Sequence, residues 1–204
     1  MAEFGIKGTI FSGVVDDVHA ALEAGHVTRE TLEAALTKQD LERLEEKVNA
    51  TAWYDVFAYH RVCGVLAAAD ARDIQHFWFE RGRRAARRLI GMGIYQQLDY
   101  LGRTESRHHT DPDARFQAFG RDMKLLMTLH KSMLNFGEWK CVPDPEHPAR
   151  YRVEISGIAD VPDGIFIAAA GTFTGFGEES RGETTWLFER PNPDLVLIRM
   201  QSDL

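Results

Sequence analysis

The sequence predicts an α+β fold in a single domain, and three observations carry that prediction. Apolar residues recur at helical spacing up to about residue 136. Beyond it, short stretches alternate apolar and polar residues, most strictly from Tyr151 to Ser156. The two regimes are segregated along the chain, which separates α+β from an alternating α/β arrangement. The expected architecture is an N-terminal helical region packed on a small antiparallel sheet, with the sheet formed mainly by the C-terminal third. The helical part runs over about 1–136 and the sheet-rich part over about 137–204.

Gly5 to Phe11 alternates weakly between glycines and reads as a short strand. Val14 to Ala24 follows as a helix, with Val14, Val18, Ala21 and Leu22 on one face, Ser12 or Asp16 as cap and Gly25 as stop. Thr28 opens a short helix to Ala35. Thr37, with Asp40 three residues on, forms a loose capping box for the next helix. Residues 49–54 read as a connection into a helix from about Tyr54 to Ala69. Asp70 or Asp73 then starts a long helix to about Gly91, with a further helical piece to Leu101 and a polar loop from Gly102 to Asp113. Asp113 caps a helix carrying Phe116, Phe119, Met123, Leu126, Met127 and His130, ending near Phe136 and Gly137. Trp139–Val142, Tyr151–Ser156, Thr184–Glu189 and Leu195–Met200 are the expected strands, joined by turns at 143–148 and 190–194. Residues 165–179 fit either a strand or a helix. In the helical case Asp163 is the N-cap, and Gly171 and Gly175 share one face, allowing close backbone approach.

Length and composition narrow the function classes. A chain of 204 residues, 44% hydrophobic and 27% charged, suits a soluble globular protein. It needs no cross-links, since a chain of this length buries roughly 70% of its unfolded surface. Two isolated cysteines, Cys63 and Cys141, form no disulfide framework, so a reducing cytoplasm is expected. The N-terminal residues do not read as a signal peptide, and no apolar run is long enough for a membrane span. A net charge of −7 argues against a nucleic-acid binder, which gains affinity from a positive field. Asn49-Ala50-Thr51 matches a glycosylation sequon, read as chance in a chain of this kind.

Against that acidic background, Glu80 to Ile90 stands out for its five arginines. On a helix, Phe79, Gly82, Ala86, Leu89 and Ile90 form an apolar stripe, while Arg81, Arg83, Arg84, Arg87 and Arg88 fill the other side. A solvated face explains the pattern. The functional reading is an acidic protein partner, held by Arg81, Arg84, Arg87 and Arg88, or a phosphate-bearing ligand, since arginine forks suit both.

Other chemistry is sparse. HExxH, GxSxG and nucleophilic-cysteine signatures are absent, and no catalytic residue is assigned. His108 and His109 with Asp111 and Asp113 read as a solvated loop, and His60 with Cys63 as packing, so no metal is expected. His130 stands on an otherwise apolar helix, as a core histidine, a haem ligand or a pocket residue. With Trp53, Trp78, Trp139 and Phe188 it forms the candidate lining of an apolar pocket between helices and sheet.

Ile6-Lys7-Gly8, Trp53-Tyr54, Gly82-Arg83-Arg84-Ala85-Ala86, Gly137-Glu138-Trp139, the strand ending at Gly157 and Trp186 to Pro191 follow one another in an order that resembles a known group. The chain resembles the uncharacterised paralogous proteins of roughly 200 residues found in myxobacteria. More remotely, it is similar to the fold of haem–nitric-oxide-binding domains, vinyl-reductase-type ligand sensors and a Golgi-transport component. The resemblance implies a helix over Ile165–Glu179 packed on the sheet, and a ligand-binding or interaction module, often dimeric. Haem does not carry over with it. The haem-binding branch uses a proximal histidine and a Tyr-x-Ser-x-Arg signature, and that signature is missing here. The vinyl-reductase-type cysteine segment is missing too, since no cysteine follows Cys141. The expected protein is therefore a non-enzymatic, cytoplasmic sensory module without cofactor. It would bind a small apolar ligand or partner protein and pair as a homodimer. The competing expectation is an adaptor using the arginine face, with no small ligand.

Overall fold

The computed structural model describes residues 4–70, 72–91, 111–180 and 185–204. They form two compact units: Met1–Phe77 with Ser132–Phe136, and Trp78–Lys131 with Gly137–Leu204. The expected helical piece to Leu101, the loop from Gly102 up to residue 110, His108 and His109 lie outside the described residues.

The first unit is a helical cluster around a short ribbon. Strand β1 (Gly5–Lys7) pairs antiparallel with β2 (Trp53–Asp55). Helices α1 (Gly8–Glu23), α2 (Arg29–Ala35), α3 (Lys38–Glu45) and α4 (Val56–Ala69) bury Phe11, Val14, Val18, Val56, Val62 and Cys63. The first helix starts six residues earlier than expected and has no side-chain cap. Its first amides donate instead to main-chain carbonyls of a distant turn, Gly8 N to Ala52 O at 3.0 Å and Thr9 N to Ala50 O at 3.2 Å. The capping box of Thr37 and Asp40 forms as read, and Asp40 then also accepts a bidentate pair from Arg61 at 2.8 and 2.9 Å.

The second unit holds the sheet. Helix α5 (Ile74–Gly91) is capped by Asp73, whose carboxylate accepts from Gln75 N at 2.9 Å and His76 N at 3.1 Å. Helix α6 (Pro112–Lys131) has proline at its first position and Asp111 before it, accepting from Asp113 N at 3.1 Å, so the cap is Asp111 and not Asp113. It ends at Lys131, short of Phe136, because residues 132–136 are taken by the first unit's ribbon. There Lys7 N donates to Met133 O at 2.8 Å and Asn135 N to Gly5 O at 3.1 Å.

Strands β3 (Glu138–Asp144), β4 (His147–Ser156), β5 (Trp186–Asn192) and β6 (Leu195–Met200) form an antiparallel sheet ordered β3-β4-β6-β5. The registers put Trp139, Ile155 and Val196 in one row and Cys141, Val153, Ile198 and Phe188 in the next, on the buried face. The opposite face is charged. There Arg199 clamps the buried carboxylate of Asp144 at 2.9 and 2.8 Å and also reaches Glu146 at 2.7 Å. The α+β class expected from the sequence is the observed one.

The ambiguous segment is a helix, α7 (Asp163–Ser180). Its glycines explain why. Cβ atoms added at Gly82 and Gly171 would sit 1.8 Å from Ala168 O and 2.0 Å from Phe79 O, so α5 and α7 touch backbone to backbone. Gly175 meets Ala86 on the same seam. Helix α6 packs on β3, and α7 on β5.

Candidate functional site

The space between α6, α7 and the sheet is filled by aromatic side chains in continuous contact. Tyr151 neighbours Phe119 (5.5 Å between ring centroids), Phe119 neighbours Trp186 (6.4 Å), and Trp186 neighbours Phe173 (5.7 Å). From Phe173 the series reaches His130 (5.7 Å), then Trp139 (4.4 Å) and Phe166 (6.2 Å). Two of these residues, Phe166 and Phe173, lie seven apart on α7 and therefore share a face.

His130 is the polar member of this series, only 7% exposed. Its Nε2 has no hydrogen-bond partner and under 1 Å² of accessible surface. Burial pushes its pKa down to about 4, so the ring is neutral at physiological pH. An unpaired buried nitrogen costs about 1–3 kcal/mol, a cost a core phenylalanine avoids. Nearby on β3, burial pushes the Cys141 thiol up to about 12, opposed weakly by Lys124, and keeps it protonated.

The structure brings together His130 and Trp139 from the expected pocket lining. Trp78 lies elsewhere in the same unit, against α7, where a Cβ on Gly164 would sit 2.4 Å from its Cε2. Phe188 is half-buried in the sheet beside Ile198. Trp53 belongs to the first unit, where Lys7 Nζ lies 4.0 Å from its ring centroid. Phe166 and Phe173 were absent from the expected set. The spacing of Phe166 and Phe173 was a usable signal, but only once their segment is read as a helix.

The arginine face needs one correction. Arg81 is only 6% exposed and does not belong to an open surface. At 100° per residue it falls between Phe77 and Trp78, inside the buried arc. Arg83 is held by Glu80 at 2.6 Å and by Glu178 at 3.2 and 2.5 Å, and Arg87 reaches Glu178 at 3.5 Å. Arg84, Arg87 and Arg88 are exposed.

An open groove of about 530 Å³ lies at the N-terminal end of α7, lined by Val161, Pro162, Asp163, Arg190, Asn192 and Pro193. Arg190 donates to Asp163 at 2.6 Å, to Pro193 O at 2.6 Å and to Val161 O at 2.8 Å. Its guanidinium lies 5.3 Å from the centroid of Phe166.

No family model and no curated protein matches the chain, so the likeness to the myxobacterial paralogues gains no support from either. Solved structures do match. An H-NOX protein from S. oneidensis, in its Fe(II)NO ligation state, is 14% identical with a TM-score of 0.57, over 97% of this chain and 100% of that one. The Fe(II) unliganded H-NOX protein from K. algicida is 11% identical with a TM-score of 0.56, over 98% of each chain. A structure concerned with haem redox potential and protein-induced porphyrin distortion is 10% identical with a TM-score of 0.54, over 97% of this chain and 100% of that one.

The fold is that of the H-NOX proteins.

Whether the residues of this H-NOX fold suit a haem is a question of donors and room. Haem iron needs an imidazole, thiolate or similar ligand facing open space. Among the described residues no group of three or more His, Cys, Asp or Glu side chains could hold a metal ion. Cys141 is a protonated thiol. His130 offers a neutral nitrogen, but with under 1 Å² accessible at Nε2 there is no room beside it for a water, let alone a porphyrin. Neither His130 nor Cys141, as placed here, offers an open position for a haem iron. Among them, no helix is long and apolar enough to cross a membrane.

Proposed function

We propose that the chain is a non-enzymatic sensory or regulatory module that takes a small apolar ligand between α6, α7 and the sheet. The observation that carries this reading is His130: a neutral imidazole with an unpaired nitrogen, set among Trp139 and Phe173. A polar atom kept at a cost in the middle of an apolar cluster is a mark of function more than of packing. The neighbour from S. oneidensis, in an Fe(II)NO ligation state, is a member of this fold that accommodates a small molecule. A ligand there would have to part the aromatic series, after which the rings would supply the apolar contact and one imidazole the orientation.

Two further parts of the reading have narrower support. A reducing compartment suits two buried cysteines that form no disulfide with each other. Pairing as a homodimer rests on the family resemblance.

Native mass spectrometry of freshly purified protein, with an absorbance scan, tests all of this together. An adduct of a few hundred daltons or less, lost on denaturation, is the expected result, and the same spectrum gives the subunit count. A clean apo mass under gentle conditions counts against the ligand, and a Soret band overturns the haem-free reading.

A further inference from the structure

Helix α5 carries a charge pattern that solvation alone does not call for. From Glu80 to its end at Gly91 it holds five arginines and one carboxylate, in a chain whose net charge is −7. Two of the five are committed to the fold. Arg81 is buried, and Arg83 binds Glu80 at 2.6 Å and Glu178 of α7 at 2.5 Å. Arg84, Arg87 and Arg88 are exposed. They stand three and four residues apart and so form one ridge on the helix. Arg87 also reaches Glu178, at 3.5 Å, a carboxylate it shares with Arg83.

Such a ridge works against the helix. Like charges one turn apart repel, and Arg84 has two such neighbours. A helix C-terminus favours a cation in its last turn, which accounts for Arg88 but not for Arg84 or Arg87. Elsewhere on the surface opposite signs alternate: Arg29 lies with Glu33 and Glu45, Lys38 with Glu42, and Arg150 with Asp203. The ridge is also held still. Helix α5 rests backbone to backbone on α7 at Gly82 and Gly171, and the Arg83 clamp ties the same two helices. Guanidinium forks on a fixed helix are preorganised for carboxylates. Ile90, 37% exposed, adds an apolar contact three residues past Arg87.

We infer that the ridge of Arg84, Arg87 and Arg88 is a docking surface for an acidic protein segment whose carboxylates are spaced about one helical turn apart. An exposed arginine exchanges one carboxylate for another at small cost, so pairing within the chain does not withdraw it. A nucleic acid or an anionic membrane presents a broad negative field, which a net charge of −7 opposes. A short acidic segment meets the ridge locally, within a screening length of roughly 8 Å at physiological salt. No aromatic side chain interleaves with the arginines to stack a base. The surface does not require a ligand in the aromatic cluster.

The probe is a labelled, alanine-based helical peptide with glutamates four residues apart, beside a counterpart with glutamine at the same positions. Binding to the full chain is followed by fluorescence anisotropy at low and at physiological salt, with circular dichroism confirming that each variant folds. The glutamate peptide should bind at low salt, and the glutamine peptide about tenfold or more weakly. Arg84→Glu with Arg88→Glu should weaken the glutamate peptide about a hundredfold, and Arg84→Gln with Arg88→Gln, the second variant should the first fold poorly, about tenfold. Lys38→Glu with Lys47→Glu makes the same change in net charge away from the ridge and should leave binding within about twofold.

No binding of the glutamate peptide at low salt overturns the proposal. So does binding that the arginine variants leave unmoved, or that the lysine variants weaken equally, since net charge and not the ridge would then be at work. Tighter binding of duplex DNA or of phosphatidylserine vesicles, lost in the same arginine variants, would overturn the acidic protein as partner. None of these outcomes touches the ligand-binding reading, which native mass spectrometry tests separately.

Discussion

His130 ties stability to pH in a direction opposite to that of a salt-bridged histidine. Its folded pKa lies near 4, below the ordinary value of 6.5. The unfolded chain therefore binds a proton there that the folded chain refuses, at any pH between those two values. The contribution is fully present above pH 6.5 and is lost as pH falls toward 4, at up to about 1.4 kcal/mol per unit. Urea unfolding at pH 7, 6 and 5 should show wild type losing stability faster than His130→Leu. At pH 7 the leucine chain should be equal to wild type or more stable, since it removes an unpaired nitrogen from the core. With about 2–4 °C per kcal/mol for a chain of this size, a gain of a few degrees in Tm is expected. A clear loss at pH 7 would mean that Nε2 has a partner of its own. Arg81 teaches a related lesson at this scale. Its charge suggested an open face, but its angular position on the helix, between two buried aromatics, had the stronger claim. His130 was legible as an anomaly in an apolar helix. Its lack of a partner was not legible, because that depends on what α7 and β3 bring to it.

At the scale of elements, the contact between α5 and α7 was half legible. Gly171 and Gly175, four residues apart, allowed a close backbone approach if their segment was a helix, and neither the helix nor its partner α5 could be read from that spacing. Gly82→Ala or Gly171→Ala should destabilise strongly, by more than about 3 kcal/mol, because the new methyl meets a carbonyl oxygen that cannot retreat. Gly64→Ala in α4 meets nothing within 4 Å and should stabilise by about 0.5–1 kcal/mol through helix propensity alone. Thermal melts of the three variants side by side check the contrast. A mild effect at Gly82 would show that the two helices can part. The strands were legible outright, since Tyr151–Ser156 alternates as a half-buried strand must. The start of α1 was not. Its amides are satisfied by Ala50 and Ala52, more than forty residues away in sequence, and local capping rules carry no information about such a partner.

For the whole molecule, the chain passes between its two units three times: after Phe77, after Lys131 and after Phe136. The first unit takes Met133, Leu134 and Asn135 into its ribbon, and Asn135 grips Gly5 through both its main chain and its side-chain oxygen. A fragment of residues 1–77 lacks that segment and should fold poorly on its own, which circular dichroism of the fragment would check. The intact chain should unfold as one domain in a single transition, with calorimetric and van't Hoff enthalpies equal. Two resolved transitions would assign each unit its own stability. The boundary near residue 136 read from the sequence marks where helices give way to strands, and the return of 132–136 to the first ribbon was hidden from it. That segment carries no helical or alternating pattern strong enough to reveal a partner at the other end of the chain.

The seam of α5 and α7 has a consequence for how this protein can vary. Every single-base change away from a glycine codon that alters the residue adds at least one carbon, and at Gly82 and Gly171 there is no place for that carbon. These two sites have no tolerated neighbours in mutational space, while most of the exposed arginines beside them have many. In a library of random substitutions selected for folding, the two positions would stand as blank columns within an otherwise permissive helix. Distant relatives would then be recognised by where they keep nothing, more reliably than by any side chain they share.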